Sequence, residues 1–174
     1  MWPVDSYPNS ATEETLDEAA KKQALRMIPY GLFVLTAKNG DDVASATVNW
    51  VTQTSFKPPL VAVGIKLDTH PYATVRAAGH FAINVLSASQ KDVAQEFFMT
   101  VHPEGNRLGS VTIRPGATGA PIINEVPAYW ECRLVDVVEQ GDHHLFIGEV
   151  VEAGVHENPA PPLLMRDTGW NYGG

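Results

Sequence analysis

Apolar and polar positions alternate in short stretches separated by turn residues, a pattern typical of a β-rich protein. Residues 31–37 are almost continuously apolar, which predicts a buried strand. Asn39-Gly40 and a return strand from Val43 predict a hairpin. Two further strands are expected over residues 60–66 and 81–86.

The second half of the chain predicts another hairpin. Residues 128–139 and 143–153 read as two long strands joined at Gly141-Asp142. Residues 101–127 are rich in Gly and Pro and are expected to form an extended connection without strands of their own.

Helix signals occur at three places. Near the N-terminus, Thr15 and Glu18 form a capping box, basic residues fall late in the periodic segment, and Pro29 ends it. A second helix is expected to begin at Pro71 and to end at Gly79. A third, short helix is expected over residues 89–98.

Two interior helices among about six strands predict a mainly β fold, an antiparallel barrel with flanking helices, because a doubly wound sheet needs regular strand-helix alternation. A length of 174 residues favours one domain. We expect an arm over residues 1–11, the domain over 12–158, and an apolar, Pro-rich tail over 159–174. That tail either docks on a partner subunit or wraps its own surface.

Composition narrows the function classes. Twelve basic and twenty acidic residues give a net charge of -8, without the clustered Lys and Arg that nucleic-acid binding requires. The N-terminus lacks a signal pattern and the apolar runs are too short to cross a bilayer, so we expect a cytoplasmic protein without a membrane partner. Cys132 is the only cysteine, which excludes an intrachain disulfide and a multi-cysteine metal cluster. Because cysteine pairs and such clusters are excluded as redox groups, redox chemistry in this protein would need a bound organic cofactor.

One strand-like segment carries unusual side chains. Residues 44–57 read as a single strand, yet they include amides and hydroxyls where valine and charge would ordinarily alternate. A planar heteroaromatic ligand such as a flavin needs short polar groups along its edge and apolar walls on its faces. This segment is therefore a candidate lining for such a ligand.

Four ordered blocks of sequence resemble the flavin reductase family of FMN-binding split β-barrels. The blocks cover residues 47–60, 66–70, 81–86 and 141–150. The resemblance implies an antiparallel split barrel and a homodimer with one FMN per subunit near the interface. It also implies reduction of the flavin by NADH or NADPH.

The resemblance assigns the flavin ring to the first block. Asn49 and Gln53 would fix the ring edge, and backbone N–H groups would donate to its carbonyls and N5. The chain departs from the family at Trp50, where many members carry a small residue such as Ser; an indole there would stack on the ring or shield it. The alternative is that these are ordinary exposed strand residues. The candidate ring contacts are Thr47, Val48, Asn49, Trp50, Thr52, Gln53 and Thr54.

A phosphate site is expected at the start of the second helix. Lys66, Thr69 and His70 precede Pro71, so an anion would meet a cation, a hydroxyl and helix amides together. The alternative for Thr69 is a purely capping role.

His143 is the candidate catalytic residue. The resemblance places it where a histidine contacts the nicotinamide or the reduced flavin, and its titration near neutrality suits that role. The alternative is a solvated histidine after a turn. His144 points to the opposite strand face and is interpreted as structural, so the pair predicts no metal site.

Three functions remain open at this point. The first is an oxidoreductase that transfers hydride from NAD(P)H to flavin, with electrons passing to free flavin, ferric iron or a redox partner such as a monooxygenase. The second is an FMN-binding electron carrier without its own nicotinamide activity. The third is a flavin-binding module without turnover. The residues specify neither NADH over NADPH nor the acceptor.

Overall fold

The computed structural model describes residues 16–174. This part of the chain forms two compact units, one of residues 16–28 with 171–174 and the other of residues 29–170. Over the described range, every helix is too short or too polar to cross a bilayer.

The smaller unit contains helix α1 (Glu18–Arg26). The carboxylate of Asp17 caps it by accepting from the N–H groups of Ala19 and Ala20 at 2.9 and 3.0 Å. The predicted cap residue Thr15 lies outside the described residues, and the helix begins later than the capping box implied. The tail returns to this helix, because Arg26 Nε donates to the carbonyl of Gly173 at 3.4 Å.

The larger unit is mainly antiparallel β-sheet, as predicted. Its elements in chain order are β1 (Phe33–Asn39), β2 (Asp42–Val48), β3 (Val51–Ser55), β4 (Leu60–Lys66), α2 (His70–Ala78), β5 (His80–Val85), α3 (Lys91–Glu96), β6 (Pro103–Glu104), β7 (Arg107–Leu108), β8 (Val111–Pro115), β9 (Pro121–Ile123), β10 (Ala128–Val138) and β11 (His143–Val155), followed by a 3-10 turn at Met165–Asp167.

Seven strands form the main sheet, in the order β2-β1-β5-β10-β11-β4-β3. Strands β2 and β3 lie at opposite ends of this order, although only Asn49 and Trp50 separate them along the chain. The sheet must therefore curl until its two end strands meet at these residues. The expectation of one strand over residues 44–57 is wrong, because the chain leaves one edge of the sheet at Asn49 and joins the other.

Helix α2 follows its sequence signals closely. Thr69 caps its start, Pro71 lies in its first turn, and Gly79 ends it in the left-handed conformation with φ 70°. Both predicted ends are confirmed, because a side-chain cap and a positive φ are set by local sequence.

Strand β1 is buried on both faces and separates two apolar cores. Leu35 lies in the core that the curled main sheet and α2 enclose, with Phe81, Cys132 and Phe146. Val34 lies in the other core, which α3, the short strands and the C-terminal tail cover. The continuous apolar run in the sequence reflects this double burial.

Residues 101–127 are not the strandless connection that their composition predicted. They form a four-stranded sheet, β6-β7-β8-β9. Three glutamates bind this segment, one at the end of α3, one just after β9 and one on β10, and each accepts from the backbone N–H and the hydroxyl of one Ser or Thr. The pairs are Glu96 with Ser110, Glu125 with Thr112, and Glu131 with Thr118.

The tail packs against its own barrel between residues 161 and 170. Leu163 is 2% exposed and its N–H donates to the carbonyl of Leu86 at 2.8 Å. Lys91 Nζ donates to the carbonyl of Thr168 at 2.7 Å. Contact of the tail with a partner subunit stays a prediction.

Candidate functional site

Lys66 is the candidate residue on β4, whose seven residues extend roughly 20 Å, and β3 and β11 pair with this strand on its two sides. A groove lies beside the Leu60 end of the strand. Lys66 is at the other end of β4, opposite His143 in the antiparallel register of β4 and β11.

The groove has a volume of about 400 Å³. Two of the predicted ring contacts, Thr52 and Gln53, supply its polar edge. Gln53 Nε2 donates to the carbonyl of Ser55 at 3.2 Å, which orients the amide along the strand. The remaining walls are apolar and are formed by Phe33, Val51, Pro59, Leu60, Val61, Trp130 and Val150.

Sequence reasoning missed most of these walls. Phe33, Trp130 and Val150 come from β1, β10 and β11, far from the 44–57 segment in the chain. The Trp130 ring packs edge-on against Phe33, with centroids 5.8 Å apart. No local signal marks these residues, since only the curl of the sheet brings them together.

The other predicted ring contacts are not gathered at the groove. Thr47 lies against α3, with its N–H bonded to the carbonyl of Phe97 and its hydroxyl to that of Ala94. Val48 packs in the main core, Asn49 is 5% exposed, and Thr54 is exposed.

Trp50 lies between Gly64 of β4 and His143 of β11. Its indole lies over Gly64, where an added Cβ would come within 3.2 Å of the ring. It also contacts the imidazole of His143, with ring centroids 4.6 Å apart and planes tilted by 56°. The His143 side chain is only 12% exposed, and its Nδ1 lies 2.8 Å from Asp142 Oδ1. This histidine is therefore held on two sides.

At the Lys66 end, the hydroxyl of Thr69 is engaged within the chain. It donates to the carbonyl of Lys66 at 2.8 Å and accepts from the N–H of Tyr72 at 3.4 Å. Pro71 has no N–H, so the first turn of α2 offers fewer amides to an anion than its sequence suggested. The exposed ammonium of Lys66 is the main attraction for a phosphate here.

His70 is paired with a residue that the sequence did not single out. Its Nε2 lies 2.7 Å from Asp42 Oδ1, and the hydroxyl of Thr74 donates to Asp42 Oδ2 at 2.7 Å. The bond from Thr74, with a smaller contribution from His70, lowers the pKa of the Asp42 carboxyl. Asp42 lies between the predicted Asn39-Gly40 turn and the return strand expected from Val43, and neither signal indicates a contact 28 residues away.

At the Lys66 end, each of the two histidines is therefore hydrogen-bonded to a carboxylate, His70 to Asp42 and His143 to Asp142. His143 lowers the pKa of Asp142 through their hydrogen bond, and Lys66 contributes through its charge. By contrast, burial raises the pKa of the fully buried Cys132 thiol to about 12, which makes it a poor nucleophile.

Comparison with known proteins identifies the family. The family model "Flavin reductase like domain" matches residues 25–173. A probable flavin reductase of Rhizobium meliloti is 37% identical over 140 residues, which are 80% of this chain and 44% of that protein. The reductase component of the 4-nitrophenol 4-monooxygenase/4-nitrocatechol 2-monooxygenase of Rhodococcus opacus is 34% identical, covering 80% of this chain and 74% of that protein.

A solved structure agrees with these relatives. The NADH:FAD oxidoreductase of Streptomyces globisporus C-1027 superposes with a TM-score of 0.70 at 30% identity, covering 86% of this chain and 89% of that one. The chain spans less than half of the Rhizobium protein's length, at 44%. The match to the family model nevertheless extends over almost the whole sequence, and this chain belongs to the flavin reductase like domain family.

Proposed function

We propose that this chain is an NAD(P)H:flavin oxidoreductase that uses FMN. The observation that carries the proposal is the groove of about 400 Å³, with a polar edge of Thr52 and Gln53 between apolar walls, in a chain of the flavin reductase family. Its volume falls within the range of about 300–1,000 Å³ that is typical of small-molecule sites.

The residues present fit a flavin mononucleotide. The groove offers apolar faces for a ring system, and Lys66 lies at the far end of the same strand, where a phosphate would meet its charge. When bound, the flavin supplies a two-electron acceptor for hydride, which no side chain of the protein can provide. Asp42 and Asp142 oppose the anion, so we expect the phosphate to contribute less than the ring.

Each side chain then has a limited task. Thr52 and Gln53 orient the ring edge, and Lys66 compensates the phosphate charge. His143 orients the dihydronicotinamide, since Trp50 and Asp142 hold its imidazole in place. Because His143 lies opposite Lys66 whereas the groove lies beside Leu60, this role requires the ring system to extend from the groove along β4 as far as Trp50. Hydride transfer between stacked rings needs no protein base, so orientation is the main contribution expected from His143.

Anaerobic reduction tests this function. Protein purified with FMN, or loaded with it, is mixed with NADH or NADPH and followed by absorbance. Bleaching of the flavin within a catalytic time scale supports the proposal. A yellow protein that neither nucleotide reduces contradicts it.

One observation favours a second function, an FMN-binding electron carrier. The Trp50 side chain contacts the imidazole of His143 and lies against β4 at Gly64, where it would shield a flavin face from nicotinamide. A carrier would keep FMN through gel filtration, would not react with NADH or NADPH, and would be reduced by a small-molecule reductant such as dithionite.

We further propose a homodimer and a redox partner. The dimer is implied by the family, and the partner by the Rhodococcus relative, which is the reductase component of a monooxygenase. Sedimentation equilibrium at micromolar concentration should give twice the chain mass. A flavin-loaded monomer would contradict the dimer, and stoichiometric reduction of free FMN or ferric iron would identify acceptors that need no protein partner.

A further inference from the structure

The turn between β10 and β11 is fastened to helix α2 by a polar cluster on the strand face opposite His143. The hydroxyl of Tyr72 is at its centre, 2.8 Å from His144 Nδ1 and 2.9 Å from Arg76 Nη1. Arg76 also forms an ion pair with Glu139, at the start of the turn. The cluster therefore binds one residue on each side of the turn, Glu139 before it and His144 after it.

The direction of these bonds follows from the donor inventory. A guanidinium can only donate, so the Tyr72 oxygen accepts from Arg76. Its own hydrogen is then available for His144, and we assign Nδ1 as the unprotonated ring nitrogen that accepts it. Tyr72 therefore donates to His144 while it accepts from Arg76, which uses both capacities of the hydroxyl.

Apolar contacts hold the same side chains in register. The Tyr72 ring meets the His144 ring edge-on, with centroids 5.5 Å apart, and meets Phe146 at 5.2 Å. Phe146 is fully buried in the main core. These ring contacts fix the position of the Tyr72 side chain, whose hydroxyl binds His144 at the end of the turn.

We propose that Tyr72 and His144 are positioning residues for His143. Neighbouring strand residues point to opposite faces, so anchoring His144 to α2 fixes the backbone from which His143 projects toward Trp50. This inference rests on the proposed function, because it assigns His143 a task with the dihydronicotinamide. It also explains how a residue directly after an exposed turn keeps one orientation.

The experiment compares Tyr72→Phe with wild type in the full FMN-loaded chain. The substitution keeps the ring packing and removes only the hydroxyl. Backbone hydrogen exchange over residues 139–146 should become severalfold faster. The KM for NADH should rise about three- to tenfold, more than kcat falls, because the hydroxyl loses its hydrogen bonds to His144 and Arg76, which orient a substrate contact only indirectly. FMN affinity should be unchanged.

Two further variants sharpen the test. In His144→Asn the side-chain amide oxygen replaces Nδ1 as the acceptor and should restore exchange and KM, whereas His144→Ala should resemble Tyr72→Phe. Tyr129→Phe is the matched control, because both tyrosines have an arginine over the ring: Arg76 lies 5.7 Å from the Tyr72 ring centroid and Arg114 lies 4.9 Å from the Tyr129 ring centroid.

Two outcomes separate the inference from the function on which it rests. If Tyr72→Phe and Tyr129→Phe are alike in both exchange and KM, the positioning role is overturned. If wild type fails to oxidise NADH, the proposed function falls and His143 loses its nicotinamide role, while exchange still decides whether Tyr72 holds the turn.

Discussion

The two ends of β4 differ sharply in chemistry. The Leu60 end borders a groove whose walls are mainly apolar, with Thr52 and Gln53 as the polar exceptions. The Lys66 end is surrounded by charged and titratable groups, and most of them are already paired within the chain.

This difference indicates that the two ends of β4 recognise different parts of a ligand. An apolar groove discriminates by shape and desolvation, so it suits an uncharged ring. A polar end discriminates by charge, although its paired carboxylates weaken its attraction for anions. If both ends bind one flavin mononucleotide, substitutions at the two ends should separate ring recognition from phosphate recognition and from catalysis.

The largest effect is expected at His143. His143→Ala should slow flavin reduction by NADH roughly tenfold to a hundredfold through loss of one orienting contact, while FMN affinity stays nearly unchanged. Anaerobic stopped flow measures the first and fluorescence titration the second. His144 is unsuitable as a silent control because it binds Tyr72; the exposed His156 replaces it. Loss of FMN from His143→Ala would refute the assignment.

Lys66→Ala should have the next largest effect, and on affinity alone. A charge-assisted contact contributes about 1.5–3 kcal/mol, so FMN should bind about tenfold or more weakly while riboflavin affinity is unchanged. Titration of apoprotein with both ligands measures the difference. Equal weakening of the two would show that the phosphate lies elsewhere.

Gln53→Ala should give the complementary pattern at the groove. One neutral hydrogen bond contributes about 0.5–1.5 kcal/mol, which predicts a two- to tenfold loss of affinity that is equal for FMN and riboflavin. Thr54→Ala is the matched control, because Thr54 is exposed on the same strand and is not part of the groove lining. A selective loss of FMN would reverse the proposed orientation of the ligand along β4.

The smallest effect concerns pH. The pKa values of Asp42, Glu139 and Asp142 are lowered by hydrogen bonds from Thr74, Arg76 and His143 respectively. Lowered carboxyl pKa values stabilise the fold above the unfolded value near pH 4, and this contribution is lost as pH falls through the folded value.

Asp42→Asn should therefore be less stable than wild type near neutral pH, and the difference should shrink below about pH 4. Urea unfolding at several pH values measures it, with the exposed Glu157→Gln as control. A difference that is constant with pH would mean that the carboxylate charge contributes nothing.

Much of the architecture could be predicted because its signals are local. The bounds of β4, both ends of α2 and the two hairpins follow from alternation, a capping hydroxyl, a glycine at positive φ and turn residues. Each depends on neighbours a few residues apart in the chain. The same is true of the polar edge at Thr52 and Gln53, which the unusual composition of its strand revealed.

Tertiary structure alone decided the rest. The chain passes from one edge of the sheet to the other at Asn49-Trp50, which separates β2 from β3. Contacts between distant parts of the chain close the groove with Phe33 and Trp130 and pair His70 with Asp42. The four-stranded sheet within residues 101–127 was missed for the same reason. Its strands of two to five residues are too short to show a period, and two of the glutamates that bind this segment, Glu96 and Glu131, lie outside it. Local sequence determines which elements can form, whereas the burial of two cores on either side of β1 determines which of them meet.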